Sequence, residues 1–205
     1  MYYNRYINQT KITLEVIFMM NTLCHIGNEL NKANVLWAVG ASILLMQYTL
    51  VNSPNDIDLL IHINDIEKAD KILRSMGEKK TFEKTDIYST EYFYEYVING
   101  FDIDVMSGLK INHYAGTYNY IFDKDSISQY INIHDINIPL TSLEDWYVLY
   151  QLIPNREKKV KIIEDYLKST GINNTNLLKR SLLGNLPSNV EYKIRELLIY
   201  DQLYN

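Results

Sequence analysis

Two short apolar runs on either side of a small-residue turn constrain this chain more than any other stretch. Trp37-Ala38-Val39 leads into Gly40-Ala41-Ser42, and sixteen residues after Gly40 a second run opens on two acids, Asp56-Ile57-Asp58-Leu59-Leu60-Ile61. Side chains alternate faces along a strand, so Asp56 and Asp58 share one face while Ile57 and Leu59 take the other. Two carboxylates about 6–7 Å apart on one strand face repel each other unless a cation or water lies between them. Oxygen ligands of this kind suit magnesium. A further acidic stretch, Phe101-Asp102-Ile103-Asp104-Val105-Met106, lies far along the chain. The remaining sequence reads as scaffold that brings these three segments together.

A chain of 205 residues with 47% hydrophobic side chains can bury a real core, as one domain with an appendage or as two small domains. The net charge of -5 argues against general nucleic-acid binding, which calls for a basic surface. One cysteine, Cys24, excludes an internal disulfide and a cysteine-rich zinc site. Arg5 and Lys11 precede an apolar run from Ile12 to Leu23 that Glu15 and Asn21 interrupt. That run is too broken to span a membrane and reads as an amphipathic helix of a soluble cytoplasmic protein.

Thr10–Asn31 has helical spacing, and Asn34–Val39 is predicted as a central strand. Ser42 is a candidate N-cap for a helix over Ile43–Tyr48, followed by a strand over Asp56–Ile61. Asn64 with Glu67 forms a capping-box pattern for a helix over Asp65–Met76, ending at Gly77. Strands are expected at Thr81–Asp86 and Glu91–Ile98, and Asn99-Gly100 is a hairpin turn into Phe101–Met106. That half of the sheet is therefore mixed or antiparallel. Tyr118–Phe122 and Ile127–Ile133 are further short elements, and Asn137-Ile138-Pro139 leads out of them. Ser142 with Asp145 opens a helix that Pro154-Asn155 ends, and three more helices are expected at Arg156–Ser169, Thr175–Leu183 and Val190–Leu203. The reading is an α/β (α+β) domain over residues 1–140 and a helical C-terminal domain over 141–205.

An Asp-x-Asp strand alone is more often a solvated strand end than a site. The Gly40-Ala41-Ser42 turn adds a ready anion site through its backbone N–H groups. Asp102 and Asp104 share one strand face and compete for the third acidic position; Asp104, further from the Asn99-Gly100 turn, is preferred. Arg156, Lys158 and Lys159 can reach a phosphate or can be a solvated helix start. Trp37 and the aromatics of Tyr92–Tyr96 offer stacking surfaces, although packing is their commoner use. The four histidines have no metal spacing.

Together these residues resemble the nucleotidyltransferase fold shared by DNA polymerase beta, the kanamycin and lincosamide nucleotidyltransferases and the minimal nucleotidyltransferases. The pattern is an apolar strand, a Gly-small-Ser turn, a short helix, acid-apolar-acid, and a third acid on a neighbouring strand. Here it reads Val39-Gly40-Ala41-Ser42, Asp56-Ile57-Asp58 and Ile103-Asp104-Val105, within residues 34–106. Ala41 departs from the family's usual Gly or Ser. The segment from Ile138 to Trp146, with Arg156 and Lys158 beyond, is similar to the C-terminal part of small bacterial members.

The resemblance implies a mixed sheet with flanking helices, and a two-metal mechanism in which Asp56, Asp58 and Asp104 hold magnesium. Gly40, Ala41 and Ser42 would contact a nucleoside triphosphate, with Arg156 and Lys158 as further contacts. Asp104 would help remove the proton of the attacking hydroxyl. The acidic total and small size favour a small, antibiotic-like acceptor, which carries an expectation of antibiotic resistance. A protein hydroxyl, as in toxin–antitoxin systems of this fold, is the second acceptor class, and a non-catalytic nucleotide-binding module is the rival of another kind. Likeness to dimers that share a cleft implies a homodimer.

Overall fold

The computed structural model describes residues 14–81 and 85–204. Helix α1 (Leu14–Lys32) leads to β1 (Trp37–Val39), α2 (Ala41–Gln47), β2 (Ile57–Ile61) and α3 (Ile66–Met76). Then come β3 (Glu78–Lys79), β4 (Tyr92–Ile98), β5 (Phe101–Ser107), β6 (Lys110–His113), β7 (Gly116–Asn119), β8 (Ile127–Ile133) and β9 (Ile136–Thr141). Four helices finish the chain: α4 (Leu143–Leu152), α5 (Glu157–Thr170), α6 (Thr175–Ser181) and α7 (Ser188–Tyr204).

Seven strands form one mixed sheet in the order β3-β4-β5-β2-β1-β9-β8, and β6-β7 make a separate hairpin. The fold is the α/β arrangement expected. Asn99 and Gly100 both have positive φ, 53° and 84°. Such a turn twists the way its strands do, and β4 and β5 pair antiparallel from Ile98↔Phe101 outward. β5 lies parallel to β2, and β2 antiparallel to β1. Helix α1 packs on β9 and α3, while α4 touches α2, α5, α6 and α7. One buried cluster runs from Met19 in α1 through Ile57 and Val105 to Leu197 in α7. Among the described residues no helix is long and apolar enough to cross a membrane.

Several local expectations need correction. The first strand begins at Trp37, because Asn34 takes a left-handed φ of 52° that closes α1, with Val35 N–H donating to Leu30 O at 3.0 Å. Ser42 is not an N-cap: extended Gly40 caps α2, its carbonyl accepting Leu44 N–H at 3.2 Å, and Ser42 sits buried inside the first turn. Asn64 does not cap α3 either. The chain first makes a 3₁₀ turn at Ile63–Asp65, in which His62 Nδ1 accepts Asn64 N–H, and Asp65 becomes the cap residue. The strand expected at Thr81–Asp86 falls partly outside the described residues; Thr85 and Asp86 are not in a strand. Residues 10–13 of the first predicted helix also lie outside them.

β9 occupies the segment read as a way out of the sheet. Pro139 is tolerated there because its nitrogen faces β1, with which β9 shares a single register pair, Val39↔Leu140. The expected cap at Ser142 is present, its Oγ accepting Asp145 N–H at 3.0 Å. Asp145 does not close the box; its carboxylate accepts the Tyr120 hydroxyl at 2.7 Å.

Candidate active site

Strand register brings the acids together. Asp58 and Asp104 are direct partners on the parallel pair β2–β5, and Asp104 is in turn opposite Glu95 on β4. On the other side Gly40 N–H donates to Asp58 O at 3.0 Å. A row Glu95–Asp104–Asp58 therefore crosses three neighbouring strands and ends on Gly40, just past β1. Asp56, just ahead of β2, completes the cluster, and one carboxylate oxygen from each of Asp56, Asp58 and Asp104 lies within 4.8 Å of the others. Ser42 Oγ donates to Asp56 Oδ1 at 3.4 Å.

Burial pushes the Asp58 carboxyl well above its ordinary range, and the charges of Asp56 and Asp104 push it the same way, against Lys159 and Arg156. Asp104 is pushed up to about 7, first by burial and then by Asp56, Glu95 and Asp102. Asp102 stands apart: its side chain is 63% exposed and pairs with Lys80 at 2.6 Å. Of the two acids competing on β5, the structure places Asp104 in the cluster.

The opposite wall comes from α4 and the start of α5. A cavity of about 220 Å³ is lined by Ala41, Ser42 and the three acids on one side, and by Trp146, Tyr150, Arg156 and Lys159 on the other. Tyr88, Met106 and Leu149 help form its apolar part. Lys159 Nζ donates to Tyr150 Oη at 3.2 Å and lies 4.8 Å from that ring's centre. Among the described residues neither Arg156 nor Lys159 forms an ion pair. Burial and Arg156 lower the Lys159 ammonium pKa, and the nearby acids hold it up.

Not every predicted residue lies at this cavity. Gly40 sits behind the lining, against Trp146, and Lys158 is not part of the wall. Arg156, the cap residue of α5, and Lys159, three residues on, share the face that Lys158 leaves, and helical spacing is the signal that separates them. Tyr150, four residues after Trp146 on α4, carries the same kind of signal. Trp37 is core, its Nε1 donating to Asn31 Oδ1 at 2.9 Å. Tyr96 is buried against Asp70, and Tyr94 carries the Lys79 ammonium 3.1 Å from its ring centre.

The donor set fits a hard divalent cation. Three carboxylates converge from β2, the residue just ahead of it and β5; among the described residues no histidine or cysteine joins them, and their mutual repulsion is what such an ion relieves.

The chain has the fold of solved nucleotidyltransferases and resembles small antibiotic nucleotidyltransferases in that fold. TM1012 of Thermotoga maritima, itself a provisionally assigned nucleotidyltransferase, superposes with a TM-score of 0.57 at 21% identity over 75% of this chain and 94% of its own. ANT(2'')-Ia in complex with adenylyl-2''-tobramycin gives 0.51 at 13% identity, over 94% of this chain and 100% of its own. A solution structure of the antibiotic-resistance factor ANT(2'')-Ia gives 0.51 at 15% identity, over 75% and 85%. No family profile and no curated protein sequence matches the chain.

Proposed function

We propose that the chain transfers a nucleoside monophosphate from a nucleoside triphosphate to a hydroxyl of a small, antibiotic-like molecule, the acceptor oxygen bonding to the α-phosphorus as pyrophosphate leaves. The observation that carries this reading is the convergence of Asp56, Asp58 and Asp104 opposite two cations, Arg156 and Lys159, that no carboxylate pairs. Asp56, Asp58 and Asp104 hold magnesium, which when bound neutralises the triphosphate and stabilises the attacking and leaving oxygens. Arg156 and Lys159 draw the phosphates to the wall facing the acids. Ser42 Oγ, now donating to Asp56, turns to a phosphate oxygen. Asp104, which completes the cluster from β5, takes the proton of the acceptor hydroxyl on a carboxylate oxygen. In this division of labour residues 1–140 carry the acids and residues 141–205 the basic wall. The likeness to ANT(2'')-Ia, solved in complex with adenylyl-2''-tobramycin, supports a small-molecule acceptor.

The test is a thermal shift of wild type and Asp58→Asn with each triphosphate, with and without magnesium, followed by a mass-spectrometric screen of hydroxyl-bearing antibiotics. Binding to the folded state raises the midpoint by mass action. A magnesium-dependent shift that the variant loses, and an acceptor that gains one nucleotide mass, are expected. Absence of any shift at millimolar triphosphate would sink the reading.

A further inference from the structure

Helix α5 uses its lysines in different ways. Lys161 and Lys168 pair with Asp165 and Glu164, each four residues away along the helix. Lys159 has no acid within reach of that kind: Ile162 and Ile163 lie three and four residues ahead, Arg156 and Asn155 behind. Among the described residues it forms no ion pair. Its ammonium reaches α4 instead and donates to Tyr150 Oη at 3.2 Å, 4.8 Å from the ring centre.

The phenol that receives it is itself held. Tyr150 is buried, and its ring packs on that of Trp146 with centroids 5.0 Å apart. Trp146 Nε1 donates to Thr141 Oγ1, which donates in turn to Val39 O. An unbroken series of contacts therefore runs from the end of β1, one residue before Gly40, through α4 to the lysine head on α5. The lysine of the basic wall takes its position from the sheet that carries the acids.

We infer that Tyr150 is the positioning residue of Lys159, fixing its ammonium at the cavity wall while leaving its charge available to an anionic ligand. A lysine head on its flexible four-carbon stem has many rotamers to lose when it binds. Held in advance by the phenol oxygen and the face of the ring, it loses fewer at the moment of contact. An ammonium has three N–H donors and no acceptor. Tyr150 takes one of them and leaves two for ligand oxygens.

A neutral holder suits an anion site. A carboxylate in place of Tyr150 would also fix the ammonium but would cancel its charge, as Asp165 and Glu164 do for their lysines. Burial and the charge of Asp58 push the Tyr150 phenol well above its ordinary range, so it stays an uncharged acceptor. Asp58 and Asp56 act on the Lys159 ammonium as well, and all four side chains line the same cavity. That the anion is a triphosphate rests on the function proposed above; the placement of the ammonium is a property of the free protein.

The test compares wild type, Tyr150→Phe, Lys159→Gln and the double variant. Tyr150→Phe keeps the ring on Trp146 and removes only the acceptor oxygen. NMR of lysine side-chain nitrogens in the free protein should show, in wild type, an ammonium signal protected from solvent exchange that Lys159→Gln lacks. Tyr150→Phe should lose that signal. Titration calorimetry with magnesium and inorganic tripolyphosphate should find affinity about fivefold lower in Tyr150→Phe. The same change in the Lys159→Gln background should cost less than about twofold, because Tyr150 acts through the lysine. No protected signal in wild type, or its persistence in Tyr150→Phe, overturns the proposal. An equal loss of affinity in both backgrounds also overturns it and sets the hydroxyl directly on the ligand. Absence of tripolyphosphate binding in all four proteins counts against the proposed activity, and the ammonium signal still decides the positioning.

Discussion

The indole of Trp146 fills the space that a side chain at Gly40 would need. A Cβ built on Gly40 would lie 2.4 Å from Trp146 Cζ2 and 2.5 Å from Nε1. The ring cannot step aside, since Nε1 donates to Thr141 Oγ1 at 2.8 Å and Thr141 Oγ1 donates to Val39 O at 3.1 Å. The glycine between β1 and α2 is thus fixed by the helix facing it.

Gly40→Ala is expected to destabilise the fold by about 1–3 kcal/mol, the usual range for overpacking a dense interior. Denaturant unfolding would measure it. Coupling to Trp146→Phe in a double-mutant cycle should be clear, because the two residues touch.

Ala41 carries an opposite prediction. Its φ of 45° at the first position of α2 is in the left-handed region, which costs an L-residue about 1–2 kcal/mol. Glycine inside a helix normally destabilises. Here Ala41→Gly should stabilise by a few tenths to about 1 kcal/mol after its greater unfolded-state entropy is subtracted. A lower denaturation midpoint would refute the strain argument.

The lysine pair on α5 separates the cavity wall from its surroundings. Lys159→Gln should weaken magnesium–triphosphate binding about tenfold, the loss of one charge-assisted contact. Lys158→Gln should change it little. Titration calorimetry on both variants decides, and equal effects would remove Lys159 from its proposed place.

Asp145 governs a pH response away from the triad. Burial raises its carboxyl to about 7 although the Tyr120 hydroxyl and Arg180 oppose the shift. The folded state therefore holds this proton more tightly than the unfolded one. Its contribution is fully present below the ordinary carboxylate range and is lost as pH rises through about 7. The unfolding midpoint should fall between about pH 4 and 7, and Asp145→Asn should reduce that slope, the remainder coming from Asp58 and Asp104. Asp65, Asp70 and Asp123, held below their usual values, act at lower pH.

Much of this was legible from residue order. Alternation placed Asp56 and Asp58 on one face, and the Asn99-Gly100 turn forecast the β4–β5 hairpin that carries Asp104. Neither pattern contained the parallel docking of β5 on β2, which depends on contacts more than 40 residues apart. Helix starts at Ser42 and Asn64 were misread because capping preference is local, whereas Gly40 and Asp65 are held by Asp58 O and Leu36 N–H. β9 was hidden by Pro139, whose missing donor is harmless only beside a strand as short as β1.

The register of Asp58 against Asp104 also bears on how the chain folds. The β4–β5 hairpin closes locally and brings no two triad acids together. Asp104 meets the charges of Asp56 and Asp58 only when that finished hairpin settles alongside β2, a late and long-range step whose closure entropy is already unfavourable. The charges that equip the cavity for chemistry thus act as a brake on assembly. Refolding should be faster in mild acid or with magnesium than in metal-free neutral buffer, and the ion would serve the chain first as a folding aid.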